Sequence, residues 1–156
     1  MADDLLFHLI PYSKSMEYVA DLCAASGSLL LLVLAVKYKK SASKIFFSLA
    51  FFYLIRSLLN LVTPLGDPSG DNQGYGFLEI QVMYGMFPSG HTGVIALGYW
   101  WAREYKNRVM MTILNLLLLG IAISLLSSRG HYTIDIVGGV VLAYLCVKLI
   151  KRKFVK

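Results

Sequence analysis

Apolar residues run through this chain in long unbroken blocks, not in the alternation of a half-buried strand or the single stripe of a soluble helix. A membrane-crossing helix needs about 20 mainly apolar residues. Five blocks are read that way: Tyr18–Val36, Ile45–Pro64, Ser89–Trp101, Val109–Ser127 and Thr133–Ile150. The third is short, and Phe87, Arg103 and Tyr105 extend it into the interfaces. The opening segment, residues 1–15, carries Leu5, Leu6, Phe7, Leu9 and Ile10. It is too short to cross and is expected to lie on the membrane as an amphipathic helix. No internal repeat or low-complexity linker breaks the pattern, so residues 1–156 are read as one domain. The expected fold class is all-α: a polytopic membrane bundle of about five transmembrane helices with a short N-terminal amphipathic helix.

Composition agrees. The chain is 57% hydrophobic and 15% charged, against roughly 45–50% and about 25% in ordinary globular domains. A soluble domain of this size has too much surface to cover with so few charges. A soluble enzyme, a disordered chain and a disulfide scaffold are thereby excluded. Cys23 and Cys146 both sit inside apolar runs and read as inert small hydrophobes. No metal-ligand spacing is present, and no metal or cofactor is expected. The N-terminal Met1-Ala-Asp-Asp-Leu lacks the basic start of a cleaved signal.

The net charge of +6 is organised by side. Lys37, Lys39, Lys40 and Lys44 follow the first span, and Arg103, Lys106 and Arg108 follow the third. Lys148, Lys151, Arg152, Lys153 and Lys156 close the chain. These are twelve of the fifteen basic residues, and five spans put them all on one face. The other face receives Asp3, Asp4, Asp67, Asp71 and Glu79. The positive-inside rule makes the basic face cytoplasmic, with the N-terminus outside and the C-terminus inside. The charge is therefore an orientation signal, and no nucleic-acid partner is expected. Trp100 and Trp101, near the inner end of the third span, read as an aromatic belt.

The bases left over are Lys14, Arg56 and Arg129, and the last two stand near unusual polar clusters. One is Phe87-Pro88-Ser89-Gly90-His91-Thr92, at the outer start of the third span. Pro88 suits the turn into a helix, Ser89 suits an N-cap, and Gly90 lets a ligand approach the backbone. A helix start with free N–H groups attracts anions. The other is Ser127-Ser128-Arg129-Gly130-His131-Tyr132-Thr133-Ile134-Asp135, also at the outer face. His131 and Asp135 stand four residues apart, and share a face if the helix begins at or before His131. A carboxylate on one ring nitrogen fixes the tautomer and leaves the other as base or nucleophile. The plainer alternatives are a capped helix with an interfacial histidine, and a helix-start Asp favoured by the dipole. Two such clusters at one membrane depth favour function. Arg56, about 12 Å below the outer end of the second span, either snorkels to the interface or neutralises phosphate. The segment 66–86, with Asn72, Gln73 and Glu79, is the longest connection and reads as a mobile lid or substrate rim, Asp67 and Asp71 reading as plain solvated surface. Gly138-Gly139 reads as a place of close helix packing.

These motifs resemble the type 2 phosphatidic acid phosphatase superfamily, which includes the sphingomyelin synthases. Pro88-Ser89-Gly90-His91 matches its Pro-Ser-Gly-His motif. His131-Tyr132-Thr133-Ile134-Asp135 looks like the His-Tyr-Thr-Ile-Asp stretch of the sphingomyelin synthase-like branch, and Arg56 with Val62-Thr63-Pro64-Leu65 is similar to the Arg-containing motif preceding it. The resemblance implies a metal-free phosphohistidine mechanism. By carry-over, His131 attacks phosphorus, Asp135 orients His131, and His91 protonates the leaving oxygen. Ser89, Gly90, Arg56 and Arg129 would hold phosphate oxygens. Arg129 stands two residues before His131, where the phosphatase branch places its Arg six before. That family commonly has six spans, so the N-terminal segment would replace one or a second copy would complete the bundle.

The leading expectation is a membrane-embedded lipid phosphatase acting on a lipid phosphate at the outer face. The alternative is a sphingomyelin synthase-like head-group phosphotransferase. A third reading is a non-catalytic lipid-binding membrane protein.

Overall fold

The computed structural model describes residues 4–63, 68 and 87–154. The expected rim, 66–86, lies outside the described residues apart from Pro68. All described secondary structure is helical. A short α1 (Leu5–Leu9) precedes α2 (Met16–Lys37), a 3-10 turn (Lys39–Ser41) and α3 (Ala42–Val62). Then come α4 (Gly90–Glu104), α5 (Arg108–Ser127) and α6 (Thr133–Phe154). Each long helix overlaps one apolar block of the sequence, with ends shifted by a few residues.

Helices α2, α3 with its preceding turn, α5 and α6 are long and apolar enough to cross a membrane. The expected third span, Ser89–Trp101, is not. Helix α4 has 15 residues, about 22 Å at 1.5 Å per residue, short of the roughly 30 Å of hydrocarbon. It is instead the centre of the bundle. It packs against α2, α3, α5 and α6, and ten of its residues are buried. The four longer helices leave Leu and Phe side chains outside, such as Leu29, Phe47, Leu58, Leu116 and Leu149. Outward apolar residues around a packed centre are what a lipid solvent selects.

Close approach to α4 depends on small residues. A Cβ at Gly93 would lie 2.0 Å from Phe52 Cζ, and one at Gly27 would lie 2.4 Å from Ile95 Cγ1. Trp101 does not sit in an aromatic belt. It is 3% exposed, and its Nε1 donates to Ser48 Oγ on α3 at 2.8 Å. The Ser48 hydroxyl in turn donates to the Ile45 carbonyl at 2.7 Å. An indole N–H inside apolar surroundings needs such a partner, and a serine one helix away supplies it. Trp100 is half-buried against Tyr144, ring centroids 4.8 Å apart. Replacing Ser48 by Ala strands the Trp101 donor and is expected to lower stability by about 1–3 kcal/mol. Thermal unfolding in detergent should show the loss, and Ser48→Thr should restore most of it.

The basic loops gather at one end. Tyr38, after α2, stacks on Tyr105, after α4, with centroids 3.9 Å apart. Lys151 of α6 pairs with Glu104 of α4. The starts of α4 and α6 lie together at the opposite end, where the Ser89 amide donates to the Asp135 carbonyl at 2.9 Å.

Candidate functional site

Ser89 ends the extended approach to α4 and caps it, its Oγ accepting from the Thr92 amide at 3.4 Å and from Thr92 Oγ1 at 3.1 Å. His91 is then set in the first turn. Gly138 and Gly139 bring α6 against this turn. A Cβ at Gly139 would sit 2.6 Å from the Ser89 carbonyl oxygen, and one at Gly138 would sit 2.7 Å from Phe87 Cε2. The two glycines therefore set the distance between the two sequence motifs.

Helix α6 begins at Thr133, two residues after His131. The histidine and Asp135 nonetheless meet, because Asp135 turns back towards the helix start. Its Oδ2 accepts from the Tyr132 amide at 2.9 Å and faces His131 Nδ1 at 3.3 Å. That is half of a capping box, in which a third-position acid bonds the amide of the cap residue. The same carboxylate that starts the helix thus orients the imidazole. Asp135 is fully buried and His131 is 4% exposed. Asp135 Oδ1 is buried without a hydrogen-bond partner among the described residues.

The two histidine rings meet edge to face with centroids 6.1 Å apart. His91 also has a carboxylate, one that sequence reasoning missed. Its Nε2 lies 3.4 Å from Asp21 Oδ1 on α2. Asp21 is an acid within an otherwise apolar span, and a charge at that depth was the available signal. Arg56 completes the group from α3. Its Nε donates to the Pro88 carbonyl at 2.9 Å. It passes over Gly90, where a Cβ would stand 3.1 Å from Nε. The structure thus brings together Arg56, Ser89, Gly90, His91, His131 and Asp135, and adds Asp21. Among the described residues, no group of three or more His, Cys, Asp or Glu side chains is arranged to hold a metal ion.

Arg129 is engaged elsewhere. It lies in the left-handed region, φ 58°. Its Nη1 donates to the Leu126 carbonyl at 2.8 Å. Its Nη2 donates to the carbonyls of Phe7 at 2.5 Å and Ile10 at 2.9 Å. The guanidinium carbon lies 4.4 Å from the centre of the Phe7 ring. It fastens α1 to the turn between α5 and α6.

A family model described as AtPDCT1/2, a phosphatidylcholine:diacylglycerol cholinephosphotransferase family, matches residues 22–152. The chain belongs to this family. The AtPDCT1/2 match spans α3 to α5, most of α2, nearly all of α6, and every residue nominated from the motifs. It carries the chain into membrane lipid-modifying enzymes. No curated protein and no solved structure matches the chain. Asp21 and α1 lie before the residues that match AtPDCT1/2.

Asp4 ties α1 to the site from the front. Its Oδ2 accepts from the Thr133 amide at 2.6 Å, and its Oδ1 from Thr133 Oγ1 at 2.9 Å and from the Leu6 amide at 3.0 Å. Burial would push this carboxyl up. The hydrogen bonds from Thr133 and Leu6 and the charge of Arg129 outweigh it and hold the group below the ordinary carboxylate value. A depressed folded-state value means that the tether is complete above about pH 4 and is lost as pH falls through the lower folded value. Wild-type protein should therefore lose a component of stability on acidification that Asp4→Asn lacks. Unfolding midpoints measured between pH 7 and pH 3 check this.

Proposed function

We propose that this protein transfers a phosphate-bearing head group from one membrane lipid to another, and that the transfer passes through His131. The carrying observation is the pair of adjacent histidines, each with its own carboxylate, beside Arg56 at the start of α4. The AtPDCT1/2 family name supports phosphatidylcholine as donor and diacylglycerol as acceptor. The motif resemblance to the type 2 phosphatidic acid phosphatase superfamily supports a phosphohistidine route.

In this reading neutral His131 donates its Nδ1–H to Asp135, and the Nε2 lone pair attacks phosphorus. The bond from phosphorus to the diacylglycerol oxygen breaks. His91, which enters the step protonated with Asp21 beside its Nε2, gives that oxygen its proton. Phosphocholine then rests on His131 Nε2. The hydroxyl of a second diacylglycerol gives its proton to His91 and attacks phosphorus, and the N–P bond breaks. Arg56 and the N–H groups at the start of α4 stabilise the charge on the phosphoryl oxygens. Phosphoryl transfer asks for this positioning and charge stabilisation more than for covalent assistance. By the positive-inside rule the site faces outward, away from the basic end.

Hydrolysis is the second reading, favoured by Pro88-Ser89-Gly90-His91, which matches the phosphatase motif. It uses the same covalent intermediate, with water as acceptor. One assay separates the two. Purified protein in liposomes receives phosphatidylcholine labelled in the head group and diacylglycerol with distinguishable acyl chains. Transfer places the label on those chains, whereas hydrolysis releases labelled phosphocholine, or inorganic phosphate from a lipid phosphate monoester. Chelator is expected to leave the rate unchanged. Absence of every product would remove the enzymatic reading of the site.

A further inference from the structure

Tyr132 occupies the cap position of α6, its carbonyl accepting from the Asp135 amide at 3.0 Å. A tyrosine has no short side-chain oxygen to offer the first free amides, the task that Ser, Thr, Asp or Asn performs at this position. Asp4 supplies it from 129 residues away, through both Thr133 N and Thr133 Oγ1. The cap of the helix that carries His131 and Asp135 is therefore split. Asp135 takes the Tyr132 amide, and Asp4 takes the Thr133 amide.

The other end of the same connection is fastened as well. Arg129, two residues before His131, donates to the carbonyls of Phe7 and Ile10 around the end of α1 and to Leu126 at the end of α5. Phe7 stacks on Tyr132, centroids 5.8 Å apart. The Ser13 amide donates to the Ser127 carbonyl at 2.9 Å. Residues 127–133, with His131 among them, are thus gripped from both sides by residues 4–13. Leu5 and Leu9 of α1 point away from this contact and are 74% and 70% exposed.

We propose that Asp4 and Arg129 are positioning residues for His131: α1 is a strap that holds the α5–α6 turn so that the His131 imidazole faces His91. The proposal rests on the reading of His131 as nucleophile. It also assigns Arg129 a task other than holding phosphate. A nucleophile displaced by about 1 Å loses on the order of 10²-fold in rate, and the two fastenings act on one turn. Asp4→Ala and Arg129→Ala should each lower kcat about 10- to 100-fold with KM little changed. The double variant should be no worse than the poorer single one, since both release the same strap. Asp4→Asn, which keeps one acceptor for the Thr133 amide, should recover most of the activity.

The experiment pairs head-group transfer kinetics with amide hydrogen exchange of the full chain in detergent. Exchange should quicken at residues 131–136 in both alanine variants, and the far helix ends should keep wild-type protection. Unchanged exchange at 131–136 would overturn the strap whatever the kinetics show. Full activity of both alanine variants, with His131→Ala inactive, would also overturn it and leave the site reading intact. An additive loss in the double variant, with a raised KM for Arg129→Ala alone, would return Arg129 to phosphate binding. Activity surviving His131→Ala would instead sink the nucleophile assignment.

Discussion

His131→Ala should abolish head-group transfer, with a fall in kcat of at least about 10³-fold, while the protein keeps its fold. The side chain is nearly buried, but it lies before the first turn of α6 and, among the described residues, contributes one polar contact, to Asp135. Removing it leaves the Tyr132 amide bonded to Asp135 and the Thr133 amide bonded to Asp4. The helix start therefore survives the substitution, and unfolding midpoints should stay near wild type. The informative control is His91→Ala, which takes away the acid and not the nucleophile. It should cost about 10²- to 10⁴-fold and still permit labelled phosphocholine to accumulate on the protein. That label should be stable in alkali and labile in acid, the behaviour of an N–P bond. A wild-type rate in His131→Ala, or label retained by it, would remove this residue from the mechanism.

Gly139→Ala is expected to be nearly as damaging, although this residue touches no reacting atom in the proposed route. Its new methyl would stand 2.6 Å from the Ser89 carbonyl oxygen and 3.3 Å from the Gly93 amide. Both are backbone atoms of the α4 start, so no side chain can rotate out of the way. Helix α6 must retreat, and the Ser89 amide bond to the Asp135 carbonyl lengthens with it. Overpacking of this kind costs about 1–3 kcal/mol. The separation of the two histidines changes at the same time, so kcat should fall about 10²-fold beyond any loss of folded protein. Gly120→Ala is the comparison. Its methyl would meet only Cys23 Sγ at 3.6 Å, an ordinary contact, and both stability and rate should stay near wild type.

Much of this architecture was legible in the pattern of apolar blocks. Every long helix appears where a block predicted it, because a bilayer demands long uncharged runs and the chain has few other places to put them. Pro88-Ser89-Gly90-His91 and the stretch from His131 to Asp135 announced themselves as polar residues at helix starts, and the structure sets them side by side. Three things were hidden. Asp21 was overlooked as a single acid in an apolar run, and only the fold reveals that it faces His91. Asp4 acts on Thr133 across almost the whole chain, a pairing that no local spacing encodes. The partners of Trp101 and Arg129 were missed for one reason. Residue type suggested an interface tryptophan and a phosphate-binding arginine, while their partners, Ser48 and the carbonyls of α1, come from distant segments. Composition and periodicity report the solvent around a helix, whereas a side chain's partner is fixed by which helices meet.

The shortness of α4 has a consequence for where the chemistry happens. Glu104 and its partner Lys151 mark the basic end, and His91 lies 13 residues away along the helix. With the basic end at one surface, about 20 Å of helix leaves His91 roughly 10 Å short of the far edge of a 30 Å hydrocarbon layer. The scissile phosphate would have to sink to that depth, leaving much of its hydration behind. Bulk water is scarce there, while the hydroxyl of diacylglycerol, a lipid without a charged head, is soluble in just that layer. In the proposed transfer, competition between the two acceptors would then be decided by partition as much as by any contact with the protein, and a recessed floor would tilt the outcome from hydrolysis towards exchange between lipids.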